Sequence, residues 1–329
     1  MIKAPFPWFG GKSTVAAEVW ERFGNVRNYV EPFAGSLAVL LGRPNPSGME
    51  TVNDKDAYLS NFWRALKTDP DAVADFADYP VNENDLHARH IWLVEQKETF
   101  RAKVEGDPHF YCAKTAGWWV WGVCTTIGGG WCSGNGPWSN VNGMMVKSER
   151  AGIKRQIPTH RRQGINRIMP RDGKSGVRTE SDLTAYLSTL ASRFRDVRVC
   201  SGDWQRVLGP GVTANGIAGI FLDPPYSAEA NRVPCYAEED FSVSHDVRAW
   251  CVLNGSNPLL RIALCGYAGE GHEDLLLYGW SEMPWKATGG YASLGTGRGK
   301  DNAGRERIWF SPACVRPRQF SLFEEAANE

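Results

Sequence analysis

The chain has 329 residues, 42% apolar and 22% charged, with 37 bases against 37 acids. That is enough for one large α/β domain or for a core domain carrying a smaller inserted one, and the even charge balance singles out no partner. No apolar run approaches the roughly 20 residues of a membrane helix, and the N-terminus has Lys3 but no continuous apolar stretch, so neither a membrane span nor secretion is expected.

The first readable stretch is Phe6-Pro7-Trp8-Phe9-Gly10-Gly11-Lys12-Ser13. Proline and paired glycines delay any regular element, and Ser13 or Thr14 is expected to cap a helix over Val15 to Phe23. Aromatics and Lys12 then sit on a tight loop at a helix N-terminus, a good place for an anionic group. The spacing is not that of a Walker loop. Next, Asn28 to Glu31 is a short strand, and Pro32-Phe33-Ala34-Gly35 is a small-residue turn before a helix expected from Ser36. Gly35 lets a ligand approach the backbone, with Glu31 close by. Thr51 to Asp54 is a second short strand ending in an acid, the position that accepts ribose hydroxyls in doubly wound folds. A plain helix cap explains Asn53 or Asp54 as well. Tyr58 to Leu66 follows as a helix with Tyr58, Leu59, Phe62 and Leu66 on one face.

From Asp69 to Asp107 the chain carries ten acids against four bases and is mostly helical, broken near Pro80. Residues 110–178 change character. Trp118, Trp119, Trp121, Trp131 and Trp138 are interleaved with glycines, and little periodicity remains, so an inserted module or a set of loops is expected. From Lys154 to Arg178 eight bases face one acid. Lys154, Arg155, Arg161, Arg162, Arg167 and Arg171 are therefore candidate phosphate contacts, and aromatics among bases suit stacking. Eight cysteines are scattered through the chain, as reduced thiols of a cytoplasmic protein would be. His109, Cys112, Cys124 and Cys132 match no common zinc spacing.

Leu183 to Phe194 reads as an amphipathic helix and Asp196 to Cys200 as a strand, with Asp203-Trp204 just beyond. An acid beside an indole can bracket a flat heterocycle; a turn acid and a core tryptophan are the alternative. Ile217 to Leu222 is a short, uncharged, partly β-branched run and reads as a strand. Asp223-Pro224-Pro225-Tyr226 ends it, since two prolines forbid continuation. This turn presents a carboxylate, carbonyls and an aromatic ring. Beyond it, Tyr236 and Phe241 border a loop and His245-Asp246 opens a helix. Leu260 to Leu264, Leu275 to Tyr278 and Glu306 to Phe310 read as strands, Gly289 to Arg305 as a glycine-rich basic loop, and Phe320 to Glu324 as a tail. Gly35, Asp54, Asp203 and Asp223 thus fall at strand ends, where loops of an open α/β sheet gather into one polar cleft.

Taken in order, FPWFGGKS, VEPFAGS and DPPY resemble the motifs of the Dam-like, D12-class, alpha-arranged DNA adenine N6-methyltransferases. Asn53-Asp54, Asp203, Tyr236 with Phe241 and His245, and Arg305-Glu306-Arg307 extend the likeness, which covers about residues 5 to 64 and 183 to 312. It is compatible with a phage or prophage origin. The resemblance implies a Rossmann-like α/β sheet that uses S-adenosyl-L-methionine, needs no metal and acts on double-stranded DNA. It divides the chain into a methyltransferase domain, 1–66 with 179–329, and an inserted target-recognition region, 67–178. Residues 110–178 depart from the family's usual recognition domain, so no target sequence carries over.

Residue by residue, the resemblance implies that Trp8, Gly11 and Lys12 border the cofactor and that Glu31, Phe33, Ala34 and Gly35 cradle its methionine part and ribose. Asp54 would bind the ribose hydroxyls, and Asp203 with Trp204 the adenine end. Asp223 and the Pro224 carbonyl would accept hydrogen bonds from the target amine, Pro225 would stiffen the turn, and Tyr226 would stack on a flipped base. The same amine chemistry serves N4 of cytosine, or RNA, and a non-catalytic nucleic-acid-binding protein on the same fold is a further alternative.

Overall fold

In the computed structural model, which describes residues 2–6, 8, 11–126, 131–132, 138–141, 144–147, 180–226, 242–285 and 304–316, a 3-10 turn at Lys12–Thr14 leads into helix α1 (Ala16–Phe23). Strand β1 (Asn28–Glu31), the single-turn helix α2 (Ala38–Leu41), strand β2 (Met49–Asp54) and helix α3 (Ala57–Thr68) follow. Three helices come next, α4 (Pro70–Ala77), α5 (Glu83–Gly106) and α6 (Ala113–Thr125), then an antiparallel pair, β3 (Trp138–Val141) with β4 (Met144–Lys147). Helix α7 (Glu180–Arg193), strands β5 (Val197–Ser201) and β6 (Ala218–Leu222), helix α8 (Val243–Asn254) and strands β7 (Leu260–Tyr267), β8 (Ser281–Pro284) and β9 (Glu306–Phe310) complete it.

Seven strands form one sheet in the order β5-β2-β1-β6-β7-β9-β8. The first five run parallel, and β9 is antiparallel to both its neighbours. This is an α/β fold with a mixed sheet and flanking helices, consistent with a Rossmann-like methyltransferase core. Strand β6 is buried at every residue, as a central parallel strand covered on both faces must be. Alternation along β1 and β6 separates two cores. Tyr29 and Phe221 face the layer holding α1, α3, α4, α6 and α7, whereas Val30, Ile220 and Leu222 face α8. The strand order reverses between the parallel strands β1 and β6, the switch point where the carboxyl ends of such sheets leave a crevice.

Most of the expected elements form within a few residues of their expected bounds; four local expectations do not hold. Neither Ser13 nor Thr14 caps α1; both lie in the 3-10 turn, and the N-cap position is Val15 without a side-chain bond. The helix expected from Ser36 starts at Ala38, because Leu37 adopts a left-handed backbone, φ 58°. Leu275 to Tyr278 is not a strand but part of a 3-10 turn, His272–Tyr278, bracketed by left-handed Gly271 and Gly279. Its Leu277 is 85% exposed, and the sheet position beside β7 belongs to β9. Finally, 110–178 is not loop throughout, since 113–125 is α6. Its glycines mark close packing: a Cβ at Gly117 would stand 2.4 Å from Phe76 Cβ, and one at Gly122 would fall on the Trp131 ring. Trp119, Trp121 and Cys124 of α6 join the same core as Phe62, Trp63 and Phe194.

The basic candidates Lys154, Arg155, Arg161, Arg162, Arg167 and Arg171 lie outside the described residues, as do Tyr236, Phe241, most of the Gly289 to Arg305 loop and the Phe320 to Glu324 tail. No helix among the described residues is long and apolar enough to cross a membrane.

Candidate active site

The loop before α1 closes when the Gly11 N–H donates to the Trp8 carbonyl at 3.1 Å. The 3-10 turn then points Lys12, 4% exposed, inward. Its Nζ lies 2.8 Å from Asp223 Oδ1 and donates to the Tyr226 hydroxyl at 3.2 Å. Tyr226 in turn donates to Glu306 Oε2 at 2.8 Å. The Tyr226 and Trp285 rings flank the ammonium at 5.6 and 5.4 Å. Burial pulls the Lys12 pKa down, but Asp223, Cys265 and Glu306 outweigh that and hold it above its usual value, so the amine stays charged.

Three strand-end loops are tied together from the adjacent strand β2. Asn53 Nδ2 donates to the carbonyls of Pro32 and Gly202, both at 3.0 Å. Asn53 O takes the Ala34 N–H at 2.9 Å, and Asp54 O takes the Gly202 N–H at 3.0 Å. The Asp54 carboxylate accepts from Gly35 N at 3.1 Å and from Asp56 N at 2.9 Å. Asp54 is therefore not the cap of α3; that is Asp56, whose side chain takes the Tyr58 N–H. Gly35 holds φ at +47°, and a Cβ there would be 2.5 Å from Trp8 Nε1.

These loops line a cleft that opens to solvent. Trp8, Gly11, Lys12, Glu31, Phe33, Ala34, Gly35, Asp54, Asp203 and Trp204 all line it. Asp223 and Pro225 also reach it, whereas Pro224 is buried off the lining and Tyr226, 8% exposed, stands behind Lys12. Phe33 and Trp204 stack at 6.0 Å between centroids. Asp203 caps the following 3-10 turn through Gln205 N at 2.9 Å.

The lining is acidic. Glu31, Asp54, Asp56, Asp203 and Asp223 face Lys12 and Lys55. Burial holds the Glu31 carboxyl well above the usual range, although the Tyr29 hydroxyl donates to it at 2.9 Å. Burial also pushes Asp54 up to about 6, against the pull of its backbone donors. Buried carboxyls in that condition gain from a cation or from hydroxyl donors. Asn53 Oδ1 is buried with no hydrogen-bond partner among the described residues. Among those residues no group of three or more His, Cys, Asp or Glu could hold a metal.

Sequence reasoning did not single out Asn53 as the tie between loops, nor Trp285 beside Lys12. A polar side chain inside an apolar strand was the available signal for Asn53; Trp285 offered none. Glu306 stood out only as part of a charged triplet.

Residues 8–106 match the sequence profile of the family described as D12 class N6 adenine-specific DNA methyltransferase. A D12-class methyltransferase domain is thus present, and the matched residues run from the Lys12 loop to the end of α5. Asp203, Asp223, Tyr226 and Glu306 lie beyond the matched residues. No curated protein matches the chain.

Proposed function

We propose that the chain transfers a methyl group from S-adenosyl-L-methionine to N6 of adenine at specific sites in double-stranded DNA. One observation carries this reading: Asp223, outside the D12-class match, opens into the same cavity as Lys12, Glu31, Gly35 and Asp54 within it. The cavity residues fit the cofactor. The Asp54 carboxylate accepts backbone N–H groups from Gly35, Lys55 and Asp56, and of its roughly four acceptor sites one is left for a ribose hydroxyl. The stacked Phe33 and Trp204 offer an apolar wall to a purine, and Asp203 lies beside them. Glu31 and its neighbours favour a ligand carrying positive charge.

When bound, the cofactor supplies an electrophilic methyl group on a cationic sulfur. The remaining work falls to the chain. An aryl amine is a poor nucleophile because its lone pair is shared with the ring. Asp223 and the Pro224 carbonyl accept its two N–H groups and free that lone pair. The cofactor, when bound, would give up its methyl to that lone pair and leave as a neutral thioether; Asp223 stands beside the nitrogen on which positive charge gathers, and the proton that the amine sheds would pass to solvent through the open cleft. Holding the amine in line supplies much of the remaining acceleration. A base must leave the duplex to arrive, and stacking it on Tyr226, which is 8% exposed behind Lys12, requires the Lys12 side chain to move aside. Residues 67–178 serve target recognition, with Lys154, Arg155, Arg161, Arg162, Arg167 and Arg171 on phosphates.

The test is transfer of labelled methyl from the cofactor to unmethylated duplex DNA, followed by nucleoside analysis. N6-methyladenine is expected, lost by at least about 100-fold in Asp223→Ala while cofactor binding survives. Label on cytosine or RNA would replace the substrate, and full transfer by Asp223→Ala would refute the mechanism.

A further inference from the structure

Glu306 opens strand β9 opposite Tyr267 and is 3% exposed. A carboxylate inside a sheet is costly, and this one takes the Tyr226 hydroxyl at 2.8 Å. The hydroxyl oxygen receives Lys12 Nζ at 3.2 Å. Lys12 thus donates to Tyr226, and the Tyr226 hydroxyl stands between two carboxylates, Glu306 at 2.8 Å and Asp223. The Tyr267 ring packs edge-on against Tyr226, centroids 4.5 Å apart, and fixes the far side of the phenol.

Charge counting gives this chain its consequence. Lys12 and Asp223, 2.8 Å apart, form a neutral pair. A neutral pair is a poor acceptor for an amine that becomes positive during methyl transfer, and the ammonium itself repels that charge. Glu306, a second buried carboxylate one hydroxyl away, adds a negative charge beside Lys12, while Glu31 bears on Asp223 and Glu270 on Glu306. At neutral pH Glu306 carries that charge, even though burial, opposed by Lys12, lifts it to about 6.

We propose that Glu306 is a positioning residue for methyl transfer: it holds the Tyr226 hydroxyl and supplies the second negative charge around Lys12, so that Asp223 meets the amine as part of an anionic cluster. This rests on the proposed amino-methyltransferase activity. It assigns a role to a residue outside both the DPPY turn and the matched domain.

The test uses the full chain and three variants, Glu306→Gln, Lys12→Met and the double variant, each first shown to bind S-adenosylhomocysteine. Single-turnover methyl transfer should fall about 10- to 100-fold in Glu306→Gln. In the Lys12→Met background, where Asp223 has no cation to offset, the same change should cost less than about threefold. A purely structural role would give equal losses in both backgrounds, and that result, or an unchanged rate in Glu306→Gln, overturns the proposal. Nitrogen-15 spectra of the lysine ammonium groups supply a readout that needs no turnover. The Lys12 signal, identified by its loss in Lys12→Met, should move in Glu306→Gln; an unmoved signal overturns the proposal. If the wild-type chain methylates no nucleic acid, the functional reading fails, and the ammonium spectra alone decide whether the cluster is wired as described.

Discussion

Replacing Gly35 by alanine perturbs the site through a single carbon. Two costs add. The residue holds φ at +47°, and the left-handed backbone costs an L-residue with a Cβ about 1–2 kcal/mol. The new Cβ would also stand 2.5 and 2.6 Å from Nε1 and Cδ1 of Trp8. That indole has little room to retreat, since it packs against Phe6 at 5.7 Å and Trp119 at 6.4 Å between centroids. Overpacking of this kind costs about 1–3 kcal/mol. The expected loss of stability is therefore roughly 2–5 kcal/mol, and displacement of Trp8 into the cavity should weaken cofactor binding by at least about tenfold, or about 1.4 kcal/mol. Urea unfolding of the ligand-free protein and calorimetric titration with S-adenosylhomocysteine measure the two terms. Gly209→Ala is the control, because φ there is −70° and a Cβ would meet nothing within 4 Å. Should Gly35→Ala unfold and bind as the wild type does, Gly35 is not the backbone approach that the cavity requires.

Two further outcomes are expected. Asp54 is raised to about 6 by burial, so a ligand that needs its carboxylate should bind about tenfold more weakly at pH 5 than at pH 7. The same group makes ligand-free stability run the other way. A carboxyl raised in the folded state stabilises most below its unfolded pKa, and that contribution disappears as pH rises through about 6. Titrations and melts between pH 4.5 and 7.5 would show the opposed trends, and a flat affinity would remove Asp54 from the binding site. Separately, Glu50→Ala strips the shared anion from two arginines, Arg43 Nη1 at 2.9 Å and Arg193 Nη1 at 2.6 Å. That should destabilise the protein by about 3–5 kcal/mol, and a shift below about 1 kcal/mol would show that water reaches the guanidinium groups.

The elements that could be read in advance are those whose signals are local. Ile217 to Leu222 is apolar and is stopped by two prolines, so β6 and the turn carrying Asp223 follow from a few adjacent residues. Gly35 and Asp54 were legible for the same reason, as a small-residue turn and an acid at strand ends. Helix α6 was not, because apolar side chains surround it almost entirely and leave no amphipathic stripe to count. Strand β8, Ser281–Pro284, is a mostly exposed edge with no alternation, and Leu275 to Tyr278 has strand composition without a free edge to join.

The motif order from Trp8 to Tyr226, the strand ends and the chemistry each could offer were determined by the sequence alone, since backbone preference and side-chain type act over a few residues. Tertiary structure decided which of them meet. Lys12 and Tyr226 are 214 residues apart in the chain and 3.2 Å apart in space. That proximity depends on the β1–β6 pairing and on two buried cores, which no local pattern encodes. Tertiary structure also decided that Glu306 is an interior charge rather than a surface one. A carboxylate acquires its environment from whatever packs over it, and here that cover is the Lys12 loop and the Tyr226 ring.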